Sequence, residues 1–145
     1  PASAQSASLV GSELCIRDSI KAALTRTHTD PNDPERLLAA LGGPEFAVLA
    51  GVCLGAAEAG SPVVLDGLAT SVAALIATKF SPGLHGWLVA SQASREQVHH
   101  IVLAELGLEA LMELRMRAGE GVGAFFGAQM ILTGLQVRRT AARTC

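Results

Sequence analysis

The chain has 145 residues, a mass of 14.9 kDa, a formal net charge of −2 and a pI near 6.1. Half of its residues are apolar and 17% are charged, so it can bury a core that offsets chain entropy, which excludes an intrinsically disordered chain. The basic pairs Arg115 with Arg117 and Arg138 with Arg139 are not interleaved with aromatic residues, so no face suited to nucleic acid is expected.

A mean hydropathy of +0.39 raises the question of a membrane span. The longest uncharged run, Gly121 to Val137, has 17 residues, but it holds four glycines, a threonine and two glutamines. A spanning helix needs roughly 20 mostly apolar residues, so none is expected. Pro1 to Gly11 has neither a basic segment nor a long apolar stretch, so it does not read as a signal peptide. Cys15, Cys53 and Cys145 are far apart and form no CxxC pair, which reads as reduced thiols in a cytoplasmic protein. Aromatic residues are only 3% and glycines number 15. Small residues let helices and strands approach closely, as in an α/β core.

In chain order, residues 1–19 are rich in Ser and Ala without a long period and read as a poorly specified leader, followed by two helical turns over Ile20 to Thr27. Asp30-Pro31-Asn32-Asp33-Pro34 breaks the chain. Asp33 is placed as an N-cap with Pro34 at the first helical position, and Gly42-Gly43 ends that helix after Leu41. Pro44 opens a helix to about Ala59, whose Ala47, Ala50, Gly51, Gly55 and Ala56 suggest close packing on a sheet. Val63-Val64-Leu65 reads as a buried parallel strand. A helix is expected over Leu68 to Phe80, a turn at Ser81-Pro82-Gly83, and a second strand over Trp87 to Ala90. Ser94 to Gln97 fits a capping box for a helix over Arg95 to Leu106. Met112 to Ala118 alternates apolar and charged residues, the signature of a third strand. An apolar helix over Ala124 to Val137 and a frayed tail, 138–145, complete the chain.

Helices alternating with strands predict an α/β fold: a partial, Rossmann-like parallel sheet with helices on both faces, carried by residues 30–137 after a leader over 1–29. Ligands of such sheets sit beyond the carboxyl ends of the strands. Asp66-Gly67, Ser91 to Ser94 and Gly119 to Gly123 fall there. Glu120 stands between two glycines, which leave its carboxylate free and let a ligand approach the backbone. It reads either as a general base or as an acid in the first turn of the following helix. The amides of Gly119 to Gly123 suit a phosphate or carboxylate, although G-x-G-x-G is not the dinucleotide fingerprint. Asp66 could hold a sugar hydroxyl or cap a helix, and Ser91 could bind ligand or serve the next helix. His99 and His100 point about 100° apart on a helix and do not share a metal ion, so no metal or cofactor is expected.

The succession Leu38-Ala39-Ala40-Leu41-Gly42-Gly43-Pro44-Glu45-Phe46, Pro62-Val63-Val64-Leu65-Asp66-Gly67, Ala90-Ser91-Gln92-Ala93-Ser94, Ala104-Glu105-Leu106-Gly107-Leu108-Glu109 and Arg117-Ala118-Gly119-Glu120-Gly121-Val122-Gly123-Ala124 resembles the C-terminal portion of the nicotinate-nucleotide–dimethylbenzimidazole phosphoribosyltransferases. The likeness runs over about Asp30 to Leu135. It implies transfer of the ribosyl phosphate of nicotinate mononucleotide to a benzimidazole, with Glu120 as catalytic base. It implies a substrate site lined by Asp66, Gly67, Ser91, Ala118, Gly119, Gly121 and Gly123, no cofactor, and a homo-oligomer. The family's Ser-His-Arg-Ser is Ser91-Gln92-Ala93-Ser94 here, Pro44 replaces an aromatic, Val122 a small hydroxylated residue, and Ala118 a leucine. The family's earlier half, with its glycine-rich nucleotide loops, has no counterpart in this sequence. The alternative is a non-catalytic α/β module that binds a nucleotide or a partner subunit.

Overall fold

A computed structural model describes residues 2–28, 30–116 and 119–141. The chain divides into two compact units, Pro1–Gly43 and Pro44–Cys145.

The first unit holds helices α1 (Ala2–Thr27) and α2 (Pro34–Leu41). Helix α1 begins well before the expected Ile20. No proline interrupts residues 2–27, and Gly11 is the one glycine, so alanine-rich propensity sustains a helix that no apolar period announces. The start of α2 matches the sequence reading. Asp33 Oδ1 accepts the Arg36 N–H at 3.0 Å and Pro34 occupies the first turn. Gly42 closes the helix through its N–H to the carbonyls of Leu37 and Leu38.

The second unit runs α3 (Pro44–Glu58), β1 (Val63–Leu65), α4 (Leu68–Phe80), a 3-10 helix (Pro82–Trp87), β2 (Leu88–Ala90), α5 (Gln97–Glu105) and α6 (Val122–Ala141). Strands β1 and β2 pair in parallel, Val63 opposite Leu88 and Leu65 opposite Ala90. Helix α4 supplies the crossover that a parallel pair requires.

Alternation along β1 divides the unit into two layers. Leu65 and the half-buried Val63 join a core of Ala50 and Cys53 from α3, Ala74 and Ala77 from α4, Leu84, Leu88, Val102 and Leu106. Val64 points to the other face and meets α6. A Cβ placed on Gly127 would lie 3.3 Å from Val64 Cγ1 and 2.6 Å from Ser91 Cβ. The α/β fold with helices on both faces is thus present. Cys53 is a small core residue, and burial raises its thiol pKa.

Four expectations need correction. The third strand shrinks to one bridge, Gln92 with Met112, fastened by the N–H of Met112 on Ser91 O and of Ala93 on Met112 O. Arg115 has φ +52, which turns the chain out of extended geometry despite the alternating pattern. The glycines of α3 do not make the expected close approach. Gly51 and Gly55 face open space, and Ala50 and Cys53 carry the packing. Helix α5 starts at Gln97 with Glu96 at its cap, so Ser94 does not cap it; Ser94 Oγ accepts the Glu96 N–H at 3.2 Å. Helix α6 also outruns its expected span at both ends, and Arg138 and Arg139 complete its last turn, where the helix dipole favours cations.

The glycines of α6 separate by environment. Gly127→Ala forces a Cβ against Ser91 and costs about 1–3 kcal/mol. Gly134, with nothing within 4 Å, gains about 1 kcal/mol from the same change. Urea unfolding of the two variants checks the opposite signs.

Candidate active site

The carboxyl ends of β1 and β2 open into a cleft of about 1050 Å³. Phe46, Val64, Leu68, Val72, Met116 and Ala124 give it apolar walls. Asp66, Thr70, Gln92, Arg95, Glu96 and Glu120 bring polar groups to it. Three chain segments converge here, as the sequence reading placed them.

Asp66 follows β1 on the face of Val64, toward α6. Its Oδ1 accepts the Ala124 N–H at 3.0 Å, and its Oδ2 accepts the Gly121 N–H at 3.3 Å. The carboxylate therefore sits at the positive end of a 20-residue helix. The helix it caps is α6, not the one that follows it in sequence. Helix α4 is capped at Gly67, where Thr70 Oγ1 accepts the N–H groups of Asp66 and Gly67 at 3.0 Å each. One of the amides offered to a phosphate, that of Gly121, is thus engaged by the protein's own carboxylate, as is that of Ala124 just beyond them.

Glu120 lies on the rim of the cleft and is exposed. Its φ is +64 and that of Gly121 is +85. Glycine adopts this region freely; a glutamate there costs about 1–2 kcal/mol. The strain is local to the residue whose side chain reaches the cleft, which is where strained residues concentrate.

The other expected site residues separate into two groups. Gly67, Gly119 and Gly121 line the cleft. Ser91 does not: it is fully buried, and its hydroxyl donates to Leu65 O at 2.5 Å, tying β2 to the end of β1. Gly123 is also a packing residue. A Cβ there would lie 2.6 Å from Gln92 Nε2 and 2.8 Å from Asp66 Oδ1, so glycine lets α6 approach both side chains. Ala118 and Cys145 lie outside the described residues.

The sequence reading placed Gln92 at the site without giving it a role, and it missed what Arg95 and His99 contribute there. Arg95 carries a guanidinium to the cleft one residue beyond Ser94. Gln92 is 3% exposed, and its Oε1 has no hydrogen-bond partner among the described residues. His99 is buried, and its neighbour His100 is exposed. His99 Nδ1 accepts the Ser94 N–H at 2.9 Å, so a neutral ring carries its proton on Nε2 and donates to Ser71 Oγ at 3.0 Å. The imidazole thereby fixes the Ser94 backbone at the cleft wall. Its only sequence signal was a histidine on the inward face of a helix. Among the described residues, no three His, Cys, Asp or Glu side chains form a group that could hold a metal ion.

Burial lowers the His99 pKa below 6.5, the positive charge of His100 lowers it further, and Glu96 opposes them. Between the lowered folded value and 6.5 the unfolded chain binds more protons. Stability therefore falls as pH drops below about 6.5, and the loss levels off beneath the folded pKa. Urea unfolding at pH 7.5 and 5.5 should show a smaller pH difference in His99→Gln than in wild type. An equal difference would remove His99 from the account.

These features define an α/β domain with a cleft beyond the carboxyl ends of its parallel strands. A family model described as phosphoribosyltransferase matches residues 16–144, and the chain belongs to that family. It is 40% identical over 123 residues to the nicotinate-nucleotide–dimethylbenzimidazole phosphoribosyltransferase of Desulforudis audaxviator, covering 85% of this chain and 35% of that protein. The enzyme of the same name from Salinispora tropica is 42% identical over 123 residues, covering 85% of this chain and 34% of its own. The crystal structure of the Thermus thermophilus enzyme of this name superposes with a TM-score of 0.74 at 39% identity, over 79% of this chain and 34% of that one. The chain spans about a third of the length of these relatives.

Proposed function

We propose that this chain carries the base-bearing part of a nicotinate-nucleotide–dimethylbenzimidazole phosphoribosyltransferase, with Glu120 as the general base. The observation that carries this reading is the placement of Glu120: a strained glutamate at the mouth of an apolar cleft, beyond the ends of two parallel strands. The apolar walls suit a flat aromatic base. In the reaction, a benzimidazole nitrogen attacks C1′ of nicotinate mononucleotide and the bond from C1′ to the pyridine nitrogen breaks. Its electron pair leaves with nicotinate, which departs as a neutral pyridine. The benzimidazole N–H proton passes to the Glu120 carboxylate. Positioning and proton removal are what the protein supplies, and one carboxylate suffices for the second.

Asp66 supports this reading as a holder of the Glu120 turn, while Gly67, Gly119 and Gly121 keep the rim open to the substrates. Self-association is supported by apolar side chains exposed on α6, including Phe125, Leu132 and Val137. The free thiols of Cys15 and Cys53 support a cytoplasmic setting. Among the described residues, no helix is long and apolar enough to cross a membrane.

Calorimetric titration with dimethylbenzimidazole tests the base. Wild type binds it and Glu120→Gln does not. Glu120→Gly also abolishes binding while raising stability by about 1 kcal/mol, because the left-handed backbone no longer carries a Cβ. Benzimidazole binding that ignores Glu120 contradicts the role of the base. If wild type binds neither dimethylbenzimidazole nor, in a parallel titration, nicotinate mononucleotide, the chain is a non-catalytic module without a substrate site.

A further inference from the structure

We propose that Gln92 reads the sugar of the nucleotide substrate, its side-chain amide hydrogen-bonding a pentose hydroxyl. This rests on the cleft being the substrate site, as argued above. Gln92 lines that cleft directly after the buried Ser91 and is itself 3% exposed. Its Oε1 is the only buried side-chain oxygen or nitrogen without a hydrogen bond among the described residues. An unsatisfied buried amide oxygen costs about as much as a lost hydrogen bond, so it calls for a partner that arrives from outside the fold.

The chemistry of that partner follows from the surroundings. Gln92 Nε2 and Asp66 Oδ1 both lie within 3 Å of one point, the position a Cβ would take on Gly123, at distances of 2.6 and 2.8 Å. The Asp66 carboxylate beside the amide repels a phosphate or carboxylate. Asp66 has already engaged the nearby helix amides of Gly121 and Ala124. A neutral hydroxyl matches a neutral amide, since each can donate and accept. No hydrogen bond holds the Gln92 amide in place among the described residues, so rotation about its last torsion turns either atom toward the cleft without breaking one. A glutamine also has no charge to desolvate when a ligand closes the site.

The test combines stability with a comparison of sugars. Gln92→Met keeps length and volume but removes the amide, and Gln92→Leu serves as a second apolar variant. Removing an unsatisfied buried group should raise Tm by about 2–4 °C. The same change should weaken nicotinate mononucleotide about five- to tenfold in calorimetric titration of the 145-residue chain. The 2′-deoxy or the 3′-deoxy nucleotide, whichever lacks the bonded hydroxyl, should bind wild type and variant equally. A lowered Tm with the same loss for all three nucleotides overturns the proposal and makes Gln92 a structural residue. If wild type binds dimethylbenzimidazole but none of the nucleotides, the Gln92 proposal fails while the base role of Glu120 stands. If wild type binds none of these compounds, the substrate site itself is refuted and Gln92 with it.

Discussion

The structure depends on one carboxylate placed at the head of one helix. Asp66 reaches from the end of β1 to the amides of Gly121 and Ala124, 55 and 58 positions later in the chain. A carboxylate at a helix N-terminus contributes typically 0.3–1 kcal/mol when exposed and about 2 when partly buried. Its consequence exceeds that energy. The contact fixes where α6 begins, and Glu120 sits in the turn immediately before that beginning. The same contact engages two amides of that terminus with the protein's own carboxylate. The turn that the sequence offered as a phosphate cradle also mounts the Glu120 side chain.

Packing makes that contact possible. Gly123 and Gly127 leave α6 bare where it crosses Asp66, Gln92, Ser91 and Val64. Ser91 then spends its hydroxyl on Leu65 O, holding the ends of the two strands together. His99 holds the Ser94 backbone from the opposite layer. Small residues, a buried hydroxyl and a neutral imidazole thus form a frame around a cleft lined by Glu120, Gln92 and Arg95. Strain at Glu120 persists with the residue after it held, because Asp66 accepts the Gly121 N–H.

Local features were legible in the sequence. Asp33-Pro34 announces α2 through capping chemistry that acts over three residues, and Val63-Val64-Leu65 announces a buried strand through its bounded apolar run. The convergence of Asp66, Gln92 and Glu120 at the strand ends followed from the alternation of helices and strands. What stayed illegible acts over long sequence distances or through single backbone angles. No local pattern shows that Asp66 caps a helix 58 residues away rather than the one that follows it. The period of Met112 to Ala118 is that of a strand, but one left-handed residue, Arg115, ends the ladder after a single bridge. Ser91 has the residue type of a ligand group, yet the carbonyl it satisfies belongs to another strand. The glycines of α3 look like packing residues and face outward, because the helix turns Ala50 and Cys53 to the core instead.

The central claim is that Asp66 fastens the start of α6 and the Glu120 turn with it. Amide hydrogen exchange measured residue by residue in wild type and Asp66→Ala tests it most directly. The account predicts exchange at Gly121 and Ala124 faster by about tenfold or more in the variant, since each loses a charge-assisted bond. Protection at Ala74 and Ala77, in the opposite layer, should not change. Unaltered protection at Gly121 and Ala124 would contradict the account.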